Sequence, residues 1–179
     1  MAAQIRKKTE LRKQRKEFEK AFPKQRELVF LLAGWDDGYN VGGLFRSAAA
    51  CGAKEIVMAG KTPTPDDDPR VGVTSLGFHR RLPWRSEKSA FEVVQALRSE
   101  GYQIVAVEVT DAAENYMAFE FGEKCCLVLG NEGAGLGAKL VAACDASVMI
   151  PMYGKGRSLN VQVAGAIVGF EAMMRGSEK

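Results

Sequence analysis

The chain has a single histidine, His79, and four cysteines, Cys51, Cys125, Cys126 and Cys144, in 179 residues. No two of those cysteines have C-x-x-C spacing, and one imidazole does not complete a convincing zinc set with them, so no metal is expected. The same scarcity argues against Ser/His/Asp and Cys/His acyl-transfer machinery, which needs a positioned base beside its nucleophile. Each cysteine sits among apolar neighbours, as a small reduced core residue does in a cytosol. No apolar run approaches the roughly 20 residues of a membrane span, and MAAQIRKKTE lacks the hydrophobic segment of a signal peptide. The expectation is a cytoplasmic protein without a membrane partner.

What is present fits one globular domain with its own core: 46% of residues are hydrophobic and 26% charged. The formal net charge is only +3, but Lys and Arg crowd the first two dozen residues. Residues 4–22 are good helix formers whose apolar positions, Leu11, Phe18 and Phe22, are too widely spaced for a core helix. Arg6, Lys7, Lys8, Arg12, Lys13, Arg15, Lys16 and Lys20 face only Glu10, Glu17 and Glu19 there. This is either an electrostatic arm for a polyanion or a solvated terminal helix, with equal weight on each. The expected division is a basic helical extension over 1–25 and one domain over 26–179.

From Glu27 onward, strand and helix patterns alternate. Glu27–Ala33, Glu55–Ala59, Tyr102–Val109, Lys124–Leu129 and Asp145–Ile150 read as strands. Gly42–Cys51, stopped by Gly52, reads as a helix, and so does the segment through Leu97 that opens on the Ser89/Glu92 capping box. Ala138–Ala143 reads as a short helix, and residues 60–70 read as a long proline-rich loop. Thr74–Arg85 interleaves aromatics with arginines, which suits RNA, although a packed tryptophan with solvated arginines is the commoner case. Alternation of this kind predicts an α/β fold, a mostly parallel sheet flanked by helices.

Three stretches offer chemistry at strand-to-helix turns. NVGGLFRS places Asn40 and Gly42 at a turn and Arg46 one turn later. LGNEGAGLG, residues 129–137, is a glycine-rich turn after a strand, yet matches neither the dinucleotide nor the NTP fingerprint. IPMYGKGRSLNVQVAGAI ends a strand at Pro151, crosses a loop, and sets Ser158 where an N-cap would stand before a helix rich in small residues. Gly165 and Gly169, one turn apart, suggest close approach to a sheet or to a second subunit. Taken singly, each stretch reads as an ordinary cap or turn.

Taken together and in this order, the three stretches resemble the three motifs of the SpoU/TrmH family of the SPOUT superfamily of RNA methyltransferases. The resemblance covers Leu28–Ala172. It implies an α/β knot with a C-terminal trefoil, a homodimer, S-adenosylmethionine as methyl donor, and transfer to a ribose 2′-hydroxyl of tRNA or rRNA. Carried over position by position, Gly130, Ile150 and Leu159 fall in the donor pocket, with Val109 or Thr110 beside them. Asn40, Arg46, Glu132, Ser158 and Asn160 fall at the polar positions associated with catalysis. Gln162 departs from the family, where a small Ser is common, and so bears on the packing of the last helix. An arginine keeps its proton at neutral pH, so Arg46 is read as a phosphate clamp and oxyanion stabiliser at least as much as a general base. An RNA-binding or assembly module with the same fold and no methyl transfer is the alternative; a Rossmann-type nucleotide enzyme is weakened by the missing fingerprints.

Overall fold

The computed structural model describes residues 8–21, 23, 26–156 and 158–174. A seven-stranded sheet forms the centre, with β1 (Glu27–Ala33), β2 (Glu55–Ala59), β3 (Trp84–Glu87), β4 (Gln103–Val107), β5 (Glu114–Asn115), β6 (Lys124–Leu129) and β7 (Ala146–Met149) in spatial order β3-β2-β1-β6-β4-β7-β5. All pairings between these strands are parallel. The helices are α1 (Lys8–Ala21), α2 (Gly38–Cys51), α3 (Pro69–Ser75), α4 (Ala90–Ser99), α5 (Ala138–Val141) and α6 (Val161–Met174), with a 3-10 turn at Phe78–Arg80.

The continuous apolar run of β1 is explained by cover on both faces. Side chains alternate across a strand, so Leu28, Phe30 and Leu32 enter a core with Leu44 and Phe45 of α2 and Val168 of α6. Val29 and Leu31 enter the opposite core, with Val93, Val94 and Leu97 of α4. Full burial of a side chain such as Phe30 is worth about 2–3 kcal/mol.

The small residues of α6 serve this packing. A Cβ at Gly169 would stand 2.5 Å from Phe30 Cζ, and one at Gly165 would stand 3.0 Å from Leu44 Cδ1. The glycine pair therefore seats α6 on its own sheet and α2, which answers the choice between sheet and second subunit. Gly42 does the same for α2 and α3: its Cβ would meet the Val71 carbonyl oxygen and Thr74 Oγ1.

Several boundaries differ from expectation. Helix α2 begins earlier, because Asp37 caps it by accepting from Tyr39 N, so Asn40 lies inside the first turn and not before it. Helix α3 starts at the end of the expected loop, where Asp68 caps and Pro69 occupies the first turn, a proline position that costs no hydrogen bond. Strand β3, WRSE, carries no apolar alternation and is held by its parallel pairing with β2. The caps at Ser89 and Gly52 match expectation. Of the expected basic arm, Lys8–Ala21 is helical, while Arg6, Lys7 and Phe22 lie outside the described residues.

Candidate functional site

The carboxyl ends of parallel strands are where an open α/β sheet presents its loops to ligands. Here the loops after β1, β4, β6 and β7 meet around a cleft of ≈ 980 Å³. Its apolar wall includes Val107, Leu129, Val148, Ile150 and Leu159, and its polar rim includes Asn40, Glu108, Thr110, Glu132 and Asn160.

Trp35 fixes the floor. Its buried indole N–H donates to the Leu129 carbonyl at 3.2 Å, and its backbone N–H donates to Thr62 Oγ1 at 3.0 Å. The ends of β1 and β6 and the loop after β2 are thereby tied together.

The loop over 130–137 doubles back on itself. A Cβ at Gly130 would collide with the backbone of Gly135 and Leu136, so only glycine fits there. Gly135 has φ +65°, and the Glu108 carboxylate lies against it, accepting from Leu136 N at 3.0 Å and from Val109 N at 3.0 Å. Asn131 closes the turn by accepting from Gly133 N and Ala134 N. Its amide donates to the Gly34 carbonyl at 2.8 Å and to Asp36 at 2.6 Å. The Lys61 ammonium, first, and then the Asn131 amide hold the Asp36 carboxyl below the usual carboxylate range.

A polar relay joins all three motif stretches. Glu132 accepts from Asp36 N at 3.1 Å and from the Asn40 amide at 3.0 Å. Asn40 Oδ1 accepts from the Asn160 amide at 2.9 Å, and Asn160 Oδ1 accepts from Gln162 N at 2.9 Å. Asn160, not Ser158, is thus the N-cap of α6. The carboxylate can only accept, so it fixes which way both amides point. Among the described residues, each amide nitrogen keeps one uncommitted N–H at the cleft.

The remaining expected residues fall as follows. Gly130, Ile150, Leu159 and Thr110 line the cleft, and Thr110 Oγ1 is hydrogen-bonded to Ser147 Oγ at 2.7 Å. Ser158 lines it with an exposed side chain. Arg46 is exposed on α2, is not among the cleft-lining residues, and makes no hydrogen bond or ion pair with a described residue. Six residues of helix separate it from Asn40, about 240° around the axis, so the two project from different faces.

Sequence reasoning missed Asp36, Glu108 and Asn131. The signal for Glu108 is an acid at the carboxyl end of an otherwise apolar strand; Asp36, in the loop after β1, carries no such signal. Among the described residues no His/Cys/Asp/Glu group could hold a metal ion. Burial pushes the Cys125 thiol up to about 12 and the Cys144 thiol up to about 11, which leaves both poor nucleophiles.

Comparison with known proteins adds to this geometry. The sequence profile described as "SpoU rRNA Methylase family" matches residues 27–170. The chain is 33% identical over 148 residues to the 23S rRNA (guanosine-2′-O-)-methyltransferase RlmB of Xanthomonas campestris pv. campestris, covering 83% of this chain and 59% of that protein. It is 30% identical over 148 residues to the tRNA (guanosine(18)-2′-O)-methyltransferase of Borreliella burgdorferi, covering 83% of this chain and 66% of that protein. Among solved structures, the AdoMet-bound rRNA methyltransferase from Sinorhizobium meliloti superimposes with TM-score 0.77 at 28% identity, covering 84% of this chain and 57% of that one. The chain therefore spans less than two thirds of the length of these relatives.

Proposed function

The chain belongs to the SpoU rRNA methylase family, and from that premise we propose that it transfers a methyl group from S-adenosylmethionine to a ribose 2′-hydroxyl of tRNA or rRNA. The observation that carries this reading is the convergence of the three motif stretches on one cleft, through the Glu132–Asn40–Asn160 relay.

The cleft fits the donor. The Gly130–Gly135 fold brings bare backbone to its edge, where a Cβ at Gly130 or Gly135 would collide, and Val107, Leu129, Ile150 and Leu159 give an apolar surface for an adenosyl group. Gly130, Ile150, Leu159 and Thr110 would hold it. When bound, the donor supplies an electrophilic methyl on a sulfonium. The chain's own part is to bring the hydroxyl into line and to stabilise the charge that it develops. The uncommitted N–H groups of Asn40 and Asn160 donate to the ribose oxygen, and Ser158 shapes the rim. Arg46, which pairs with no described residue and stands apart from the relay, clamps the phosphate adjoining the ribose from outside the cleft, while the proton leaves to solvent at the open rim. Glu132 acts as the positioning residue of the set.

Three wider features belong to the same proposal. The first is a division into an extension over 1–25 and a methyltransferase domain over 26–179. The second is a C-terminal trefoil knot. In support, β7 lies toward one edge of the sheet, yet α6 returns to pack on Phe30 and Leu129 at its centre, while residues 130–136 on one side and Ile150, Met152 and residues 158–160 on the other wall one cleft. Optical-trap unfolding between residues 26 and 174 should give a contour length short of the full chain; full extension would exclude a knot. The third is work in the cytoplasm as a homodimer. No helix of the described residues is long and apolar enough to cross a membrane.

Calorimetry with S-adenosylmethionine tests the donor site. Binding that is lost on Gly130→Ala is expected, and wild-type protein that takes NAD or ATP in preference would overturn the reading.

A further inference from the structure

Helix α1 carries its charges in two distinct arrangements. Lys13 Nζ lies 3.8 Å from Glu17, and Arg15 Nε lies 3.4 Å from Glu19, both four residues apart. These carboxylates cancel much of the field of the cations they face. Arg12, Lys16 and Lys20 are also spaced by four, and among the described residues none of them pairs with a carboxylate. Four residues turn an α-helix through about 400° and advance it about 6 Å, so these three cations form a stripe along one side. Residues 9–21 are all exposed, so the stripe lies open to a partner.

Like charges four apart work against a helix, and a helix of this length is marginal without packing. The stripe therefore opposes α1 when the protein is alone and supports it beside a polyanion. Leu11 and Phe18 are the only large apolar residues of α1, too few to bury in a bilayer interface. We infer that Arg12, Lys16 and Lys20 form a phosphate-contacting face that grips the RNA backbone, while Lys13 and Arg15 take no part. Naming the polyanion as RNA rests on the methyltransferase reading.

The prediction is quantitative, because each neutralised phosphate contributes about 0.7–0.9 to the salt slope of log affinity. Counting every cation in the arm would give a far steeper dependence than a three-cation stripe. The test uses the full chain and fluorescein-labelled, deacylated total tRNA, with affinity read by anisotropy across a KCl series. Arg12→Gln/Lys16→Gln/Lys20→Gln should lower the slope by about 2–3 and weaken binding roughly tenfold or more at moderate salt. Lys13→Gln/Arg15→Gln should leave slope and affinity nearly unchanged, and Arg12→Lys/Lys16→Arg/Lys20→Arg should behave as wild type. Calorimetry with S-adenosylmethionine on each variant shows that the domain is folded.

Equal losses per charge in both glutamine sets would reduce the arm to bulk charge and overturn the inference. No loss in either set would return α1 to a solvated helix. Wild-type protein that sediments with phosphatidylglycerol vesicles but leaves tRNA free would overturn it in favour of a membrane surface. Failure of the methyltransferase reading is seen separately, as absence of methyl transfer to both unmodified tRNA and unmodified rRNA, and leaves the comparison of slopes intact.

Discussion

Glu132 sits at the junction of the polar relay with one carboxylate oxygen on Asp36 N and the other on the Asn40 amide. Glu132→Gln keeps the shape but replaces one acceptor with a donor, so Asn40 and Asn160 lose the constraint that turns their N–H groups to the cleft. The expected result is a fall in kcat of about 100-fold with S-adenosylmethionine affinity within about threefold of wild type, since the loss of one aligned donor costs about 10²–10³ in rate. A loss confined to donor affinity would sink the positioning role. Arg46→Ala should give a similar or larger fall in kcat and leave calorimetric donor binding intact, because Arg46 stands outside the donor cleft; near wild-type turnover would remove Arg46 from the mechanism. A third residue-scale expectation concerns pH. Burial pushes the Cys125 thiol up to about 12, so the folded chain holds that proton where an unfolded thiol, near about 8.5, has released it. The stabilisation is complete below the ordinary thiol range and is lost as pH rises toward 12. The melting midpoint should fall from pH 9 to pH 11, and Cys125→Ala should flatten that fall; an identical slope in the variant would assign it to other groups.

Helix α6 shows why a departure from a family pattern need not disturb a site. Gln162 lies over Gly43 of α2, where an added Cβ would stand 3.0 Å from its Cδ and Oε1, and its amide reaches Ser47 Oγ at 3.4 Å. The larger residue on one helix is thus accommodated by glycine on the other. Gly43→Ala should cost about 1 kcal/mol, and the double variant Gly43→Ala/Gln162→Ser should recover most of it in denaturant melts. Additive losses would show that the two positions are independent. Gly169→Ala is expected to cost more, about 2–3 kcal/mol, because the added Cβ would stand 2.5 Å from the fully buried ring of Phe30. At this scale the sequence was legible wherever a continuous apolar run or a terminal glycine fixed the answer, as in β1, β2, β6 and the end of α2. It was silent at β3 and β5, whose residues carry no periodicity and are strands only because a neighbour offers an edge. The site shows the same division. The motif residues lining the cleft could be named through the family resemblance, whereas the supporting roles of Asp36, Asn131 and Glu108 depend on hydrogen bonds between segments about 30 to 95 residues apart.

For the molecule as a whole, the proposed homodimer is supported by the outward side of α6, where Val163 and Phe170 remain 40% and 39% exposed on a helix with few charges. A single exposed residue is ordinary, but a helix apolar on both its inner and outer faces is usually covered. Phe170→Glu should convert a dimer to a monomer in light scattering with S-adenosylmethionine affinity measured alongside; an unchanged mass would place the interface elsewhere. The central claim is that the cleft, α1 and Arg46 together deliver an RNA ribose to a methyl donor. Its most direct test is incubation of the protein with S-adenosylmethionine labelled in the methyl group and unmodified tRNA and rRNA, followed by alkaline hydrolysis. Hydrolysis of RNA needs a free 2′-hydroxyl, so the account predicts that the label appears in alkali-resistant dinucleotides and disappears with Arg46→Ala. Label found only in mononucleotide bases, or no label in RNA from protein that binds the donor, would contradict it.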